Sequence, residues 1–154
     1  MKEITLMVNN EPRSMAVEPN ETLLEALRDK LGIKSPKCGC ERGDCGACTV
    51  LLDGRSVRSC LILAVEAEGH SILTVEGISA EGMNRLQQAF IEFNSFQCGY
   101  CAPGIIMALT ELLNRDPHPS LENIKEAIAG NLCRCTGYTP IFDAVMAHTR
   151  GEEQ

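Results

Sequence analysis

A chain of 154 residues that is 44% hydrophobic, 4% aromatic and without Trp can build one ordinary domain or two small ones around a thin core, the kind that metal sites often staple. Its net charge of −7 leaves no basic stripe for a nucleic-acid groove. No run of about 18 apolar residues occurs, so no membrane span is expected; the alternating start Met1-Lys2-Glu3-Ile4-Thr5-Leu6 is no secretory signal, and a cytoplasmic location follows as an expectation.

Glu3 to Val8 alternates, with Ile4, Leu6 and Val8 on one face, and predicts a strand. Asn9-Asn10 turns the chain, and Met15-Ala16-Val17 returns as the second arm of a hairpin. Thr22-Leu23-Leu24-Glu25 reads as a capping box that opens a helix with Leu23, Leu24, Leu27 and Leu31 on one face and Gly32 as its stop. Periodicity vanishes from Cys40 to Cys48, where Gly39, Gly43 and Gly46 mark a loop. Thr49 to Leu52 is a strand, Asp53-Gly54 a two-residue turn, Val57 to Leu63 the return strand, and Ile72 to Val75 a last short strand. This order predicts a small α+β domain over residues 1–76, one helix packed across a mixed sheet.

Beyond Gly77 the pattern is all helical. Helices are predicted over Asn84 to Phe93, Pro103 to Asn114, Leu121 to Ala129 capped by Ser120, and from Thr139 as a cap with Pro140 at the first helical position. Arg150 to Gln154 reads as a frayed tail. Each half of this segment, 77–154, runs helix, cysteine loop, helix, so the loops carrying Cys98 and Cys133 should meet at one end of a four-helix bundle.

Eight of the nine cysteines fall into two sets. Without export they are not a disulfide framework, and clustered reduced thiols bind metals. Cys40, Cys45 and Cys48, with a more distant fourth, have the spacing of a plant-type [2Fe–2S] site. A four-thiolate cluster is anionic and needs inward backbone N–H groups, which glycines allow by close approach and positive φ. With the hairpin turning at Asp53-Gly54, residue 48 faces residue 59, so Cys60 lies one residue from register with Cys48, within about 5 Å of it. Cys38 could replace Cys40 only at an off-pattern spacing, and reads as a spare thiol that packs as a small apolar residue. The second set, Cys98 and Cys101 with Cys133 and Cys135, ends in a Cys-x-Cys pair that suits a wider cluster better than one zinc ion. Pro103 and Pro140 start helices just after these loops, which would aim positive helix ends at the anionic site.

The runs Gly39-Cys40-Glu41-Arg42-Gly43-Asp44-Cys45-Gly46-Ala47-Cys48-Thr49-Val50, Gln97-Cys98-Gly99-Tyr100-Cys101-Ala102-Pro103-Gly104 and Gly130-Asn131-Leu132-Cys133-Arg134-Cys135-Thr136-Gly137-Tyr138 resemble those of the small iron–sulfur subunit of the molybdenum hydroxylases, the xanthine oxidase family, and the resemblance spans nearly the whole chain. It implies a β-grasp ferredoxin-like domain followed by the helical [2Fe–2S] domain. It implies an electron-transfer subunit, not catalytic alone, passing single electrons from a molybdenum–pterin cofactor on a large subunit through two [2Fe–2S] clusters to FAD on a medium subunit. It also implies pterin contacts from Gln97 and Cys135. The loop before the fourth ligand is shorter than in plant ferredoxins, and Cys38 stands where family members usually carry another residue. Two other classes compete: a free-standing two-cluster ferredoxin that shuttles between partners, and a redox or metal sensor using Cys38. The sensor would need a signalling or DNA-binding element, and none is visible. His70, His118 and His148 are scattered and read as surface residues rather than ligands. Arg134, between two ligands, would raise its cluster's potential unless it is an ordinary surface arginine.

Overall fold

The computed structural model describes residues 1–151. Its first half is a five-stranded mixed sheet built from β1 (Lys2–Val8), β2 (Glu11–Val17), β3 (Thr49–Leu52), β4 (Arg55–Arg58) and β5 (Ser71–Leu73), in spatial order β2-β1-β5-β3-β4. β1 runs parallel to β5 and antiparallel to β2, and β3 pairs antiparallel with β4 and β5. Both hairpins turn as the sequence predicts. Asn9 and Asn10 have φ of 52° and 66°, and Asp53 and Gly54 have 50° and 81°, the paired positive values of the tight turn that matches strand twist.

Helix α1 (Leu23–Glu25) continues as a π-helical stretch, Ala26–Lys30, across the sheet. Its capping box is formed: the Glu25 N–H donates to Thr22 Oγ1 at 3.2 Å and the Thr22 N–H to Glu25 Oε2 at 2.8 Å. The end widens because the Leu31 N–H reaches back to Ala26 O, and Gly32, at φ 70°, lets the Ile33 N–H close on Leu27 O. Ile4, Leu6, Leu23, Leu27, Val50 and Ile72 form the core beneath.

The second half holds α2 (Val75–Ile78), α3 (Arg85–Glu92), α4 (Ala102–Arg115), α5 (Leu121–Ala127) and α6 (Thr139–Gly151). Leu86, Phe90, Ile105, Leu109, Ile124 and Ile141 sit in their shared core. Helix α4 is apolar nearly all round, with Ile105, Met107 and Leu109 at 1% exposure or less, because the other helices cover one side and β3 packs on another.

Several boundaries differ from expectation. The return strand ends at Arg58, and Ser59–Leu61 is a 3₁₀ turn. The ladder gives way there: the Ser59 N–H to Cys48 O bond stretches to 3.4 Å while Ser59 Oγ donates to the same carbonyl at 2.7 Å. The last strand stops at Leu73, since the Thr74 N–H is taken by Asn9 Oδ1 at 2.9 Å and Val75 enters α2. The predicted 76/77 boundary falls inside that single turn. Phe93, the last residue of the predicted helix, is the 40%-exposed residue after the end of α3. Thr139 is helical rather than a cap, so Pro140 takes the second position. Of the predicted frayed tail, Arg150 and Gly151 belong to α6, and 152–154 lie outside the described residues.

Candidate metal centres

The loop from Cys40 to Cys48 wraps without regular structure between the end of the π-helical stretch and β3. Its backbone N–H groups point at sulfur: that of Cys45 donates to Cys40 Sγ at 3.4 Å and that of Ala47 to Cys45 Sγ at 3.5 Å. Backbone donation from Cys45 and then Arg42 lowers the Cys40 thiol to about 7. A Cβ on Gly39 would stand 2.8 Å from Cys45 Sγ, so only glycine admits this approach. On the other side, Cys48 and Cys60 are buried together against Leu24. The 3₁₀ turn that replaces the predicted strand swings Cys60 onto Cys48. Burial, and then the contact with Cys48, pushes the Cys60 thiol up to about 11.

The second set comes together at one end of the helical half. Cys135 Sγ lies 3.6 Å from Cys98 Sγ. Cys101, the residue before α4, contacts Cys133, and burial pushes the Cys101 thiol up to about 12. Burial also pushes Cys133 up, but hydrogen bonds led by Thr136, whose Oγ1 is 3.1 Å from the sulfur, leave it below its ordinary value. Cys98 is lowered by the Tyr100 backbone N–H and then by Cys135. Cys101 ends at the N-terminus of the 14-residue α4, whose positive end favours an anionic site.

The eight thiols therefore stand as four pairs: Cys40 with Cys45, Cys48 with Cys60, Cys98 with Cys135, and Cys101 with Cys133. Two pairs per loop set is the donor arrangement of a diiron cluster, in which each iron takes two protein thiolates. Among the described residues no three His, Cys, Asp or Glu groups are gathered closely enough to hold one ion. Cys38 stands apart, exposed, with its thiol donating to Glu41 Oε1 at 3.4 Å. Gln97 and Cys135 are exposed neighbours, the Gln97 Nε2 donating to Cys135 O at 3.1 Å. Arg134 is exposed, His70 pairs with Asp53 at 2.6 Å, and His118 is exposed.

Sequence reasoning passed over the groups that shape these loops. Tyr138 accepts the Cys133 N–H at 2.8 Å and donates to Asn131 O at 3.0 Å, while its own backbone sits at φ 71°, a strained value for an aromatic residue. Tyr100 donates its hydroxyl to Cys38 O, tying one cysteine loop to the other, and Lys37 lies over its ring. Ser56 donates its N–H and hydroxyl to Glu111 on α4. None has a periodicity signal: Tyr100 and Glu111 act across the fold, and Tyr138 bonds irregular backbone five and seven residues away in its own loop. Only the inclusion of Tyr100, Asn131 and Tyr138 in the cysteine runs could have flagged them.

Two family models match in tandem, the "2Fe-2S iron-sulfur cluster binding domain" over residues 6–73 and the "[2Fe-2S] binding domain" over 74–146. The chain is 49% identical over 144 residues to the nicotine 6-hydroxylase small subunit of Paenarthrobacter nicotinovorans, covering 94% of this chain and 87% of the relative. It is 44% identical over 146 residues to the xanthine dehydrogenase iron-sulfur-binding subunit of Escherichia coli O157:H7, covering 93% and 91%. The chain belongs to the small iron–sulfur subunits of the molybdenum hydroxylases. Among solved structures of this family, quinoline 2-oxidoreductase from Pseudomonas putida 86 superposes with a TM-score of 0.93 at 44% identity, covering 99% of this chain and 96% of that one. Aldehyde oxidoreductase from Desulfovibrio desulfuricans ATCC 27774 also gives 0.93, at 43% identity, but this chain covers only 18% of it, so the same unit occurs within a longer polypeptide. As a molybdenum hydroxylase iron–sulfur subunit the protein serves electron transfer in a multi-subunit oxidoreductase, with two [2Fe–2S] clusters as its cofactors. Relatives that are subunits do not favour the free-standing shuttle. Among the described residues no helix is long and apolar enough to cross a membrane.

Proposed function

We propose that Cys40, Cys45, Cys48 and Cys60 hold one [2Fe–2S] cluster in a β-grasp ferredoxin-like domain, residues 1–76, and that Cys98, Cys101, Cys133 and Cys135 hold the other in a four-helix domain, residues 77–154. The observation that carries this is the sorting of eight thiols into four contacting pairs, two in each set. When bound, each cluster accepts and releases one electron at a time. The chain's own residues supply the seat. Backbone N–H groups of Cys45, Ala47 and Tyr100 donate to sulfur and stabilise its negative charge, the buried Cys48 and Cys60 exclude water, and α4 directs its positive end at the second set.

The partners in this reading are a large subunit carrying the molybdenum–pterin cofactor and a medium subunit carrying FAD, in the cytoplasm. Gln97 and Cys135, exposed and hydrogen-bonded to one another at the second set, present an amide and a cluster-side backbone to the pterin. Exposed Arg134 beside them supplies positive charge that favours the reduced form. Electrons would then enter at the helical half and leave from the sheet half.

Purification from the native source under mild conditions tests this. Associated chains should be identified, and iron, acid-labile sulfide, molybdenum and flavin assayed. Co-purification with two larger chains bearing molybdenum and flavin supports the reading. Bound zinc, absence of sulfide, or a monomer free of partners refutes it.

A further inference from the structure

The two cysteine loops touch through a buried polar knot that the cluster chemistry does not itself require. Asn131 is 2% exposed and Thr49 1%. The Asn131 Nδ2 donates to Gly46 O at 3.1 Å and to Thr49 Oγ1 at 3.3 Å. Thr49 Oγ1 donates to the same Gly46 carbonyl at 2.6 Å and accepts from Arg58 Nη1 at 2.9 Å. Arg58 Nη2 reaches Gly130 O at 2.8 Å, while its Nε is buried with no partner among the described residues. Leaving a guanidinium nitrogen unpaired carries a penalty; of the two bonds Arg58 makes, that to its ladder partner Thr49 stays within the sheet and that to Gly130 O crosses to the second cysteine loop.

Glycines let the two backbones meet. A Cβ on Gly46 would stand 2.5 Å from Gly130 O, and one on Gly104, at the start of α4, would collide with Gly46 O. Inside this knot the Leu132 N–H donates to Cys45 O at 2.8 Å. Cys45 and Cys133 are ligands of different clusters in the reading above, on which this inference rests. The backbone between them therefore runs from Cys45 through its carbonyl, across one hydrogen bond to Leu132, and on to Cys133.

We infer that Asn131 is a positioning residue for electron transfer between the two clusters: its buried amide pins residues 45–46 onto residues 131–133 and so holds the Cys45–Leu132 hydrogen bond closed. Asn131 need not touch either cluster to do this. Replacing it with aspartate keeps the shape but removes both N–H donors and sets a carboxylate against Gly46 O. Gly104→Ala acts from the other side, as a wedge under the same carbonyl.

Both variants, and Thr49→Val, should be prepared in the assembled holoenzyme, with iron and sulfide measured on the same material. The decisive readouts are the magnetic splitting between the two reduced clusters in frozen solution and the rate of electron exchange between them, both taken on the loaded fraction. The expected result is a weaker splitting and slower exchange, with each cluster's own spectrum retained. A purely structural role predicts lower stability or loading but parental splitting and exchange in whatever fraction is loaded; that outcome in Asn131→Asp and Gly104→Ala overturns the inference. A parent protein without iron and sulfide would instead overturn the ligand reading, so the two failures are distinct.

Discussion

At the scale of single residues, the protonation of the cysteines decides how the metal enters. In the metal-free chain Cys40 lies near 7, lowered by the backbone N–H groups of Cys45 and Arg42, while burial pushes Cys60 up to about 11 and Cys101 to about 12. Iron must displace protons from the last two. Cluster reconstitution should therefore release protons, and its rate should fall as pH drops through 7 and Cys40 protonates; following visible absorbance across pH checks this. Under limited alkylation of the metal-free protein, Cys40 should react ahead of Cys60 and Cys101, as peptide mass mapping would reveal. Cys45→Ser should abolish one paramagnetic signal of the reduced protein and spare the other. Cys38→Ser should leave iron content unchanged, because Cys38 bonds Glu41 rather than a second thiol.

At the scale of elements, side chains that cap and tether hold the loops for these cysteines. Thr22 opens the helix that packs Leu24 against Cys48 and Cys60. Thr22→Ala should destabilise the fold by about 1 kcal/mol, read by chemical denaturation, the usual effect of losing such a cap. Glu76 fastens the segment before the first cysteine loop, accepting from the Lys34 N–H at 3.1 Å, the Ser35 N–H at 2.9 Å and the Ser35 hydroxyl. Burial pushes the Glu76 carboxyl up, but the bonds from Ser35 and Thr74 hold it below the ordinary glutamate value. A depressed carboxylate stabilises the fold above its unfolded pKa of about 4.3 and loses that contribution as pH falls through its lower folded value. The parent should lose stability over that acid range faster than Glu76→Gln does, which thermal melts at stepped pH would measure.

At the scale of the whole molecule, α4 and β3 make one body of two halves. β3 gives Val50 to the sheet core, while Leu51, 1% exposed and outside that core, belongs to the strand on which α4 packs. Met107 on α4 is 1% exposed and lies outside both large cores. Met107→Ala should cost about 2–5 kcal/mol. Calorimetry should show both halves melting in one transition that moves as a unit; two separating transitions would contradict the shared packing.

The sequence by itself determined the local features: two hairpins with paired turn residues, a capping box, Gly32 as a helix stop, the helix from Pro103 to Asn114, and two cysteine sets of four. These are legible because each depends on residues close along the chain, where spacing maps directly onto strand, turn or helix geometry. The hairpin register already placed Cys60 beside Cys48; tertiary structure alone decided how the other six cysteines pair, how Cys60 turns onto Cys48 outside a strand, and how Asn131, Arg58 and Thr49 join the loops. The bonds of Asn131 to Gly46 and of Arg58 to Gly130 link residues 85 and 72 apart. Such contacts arise only once α4 settles on β3 and the backbone at Gly46, Gly104 and Gly130 is drawn close, and no periodicity in the chain encodes that approach.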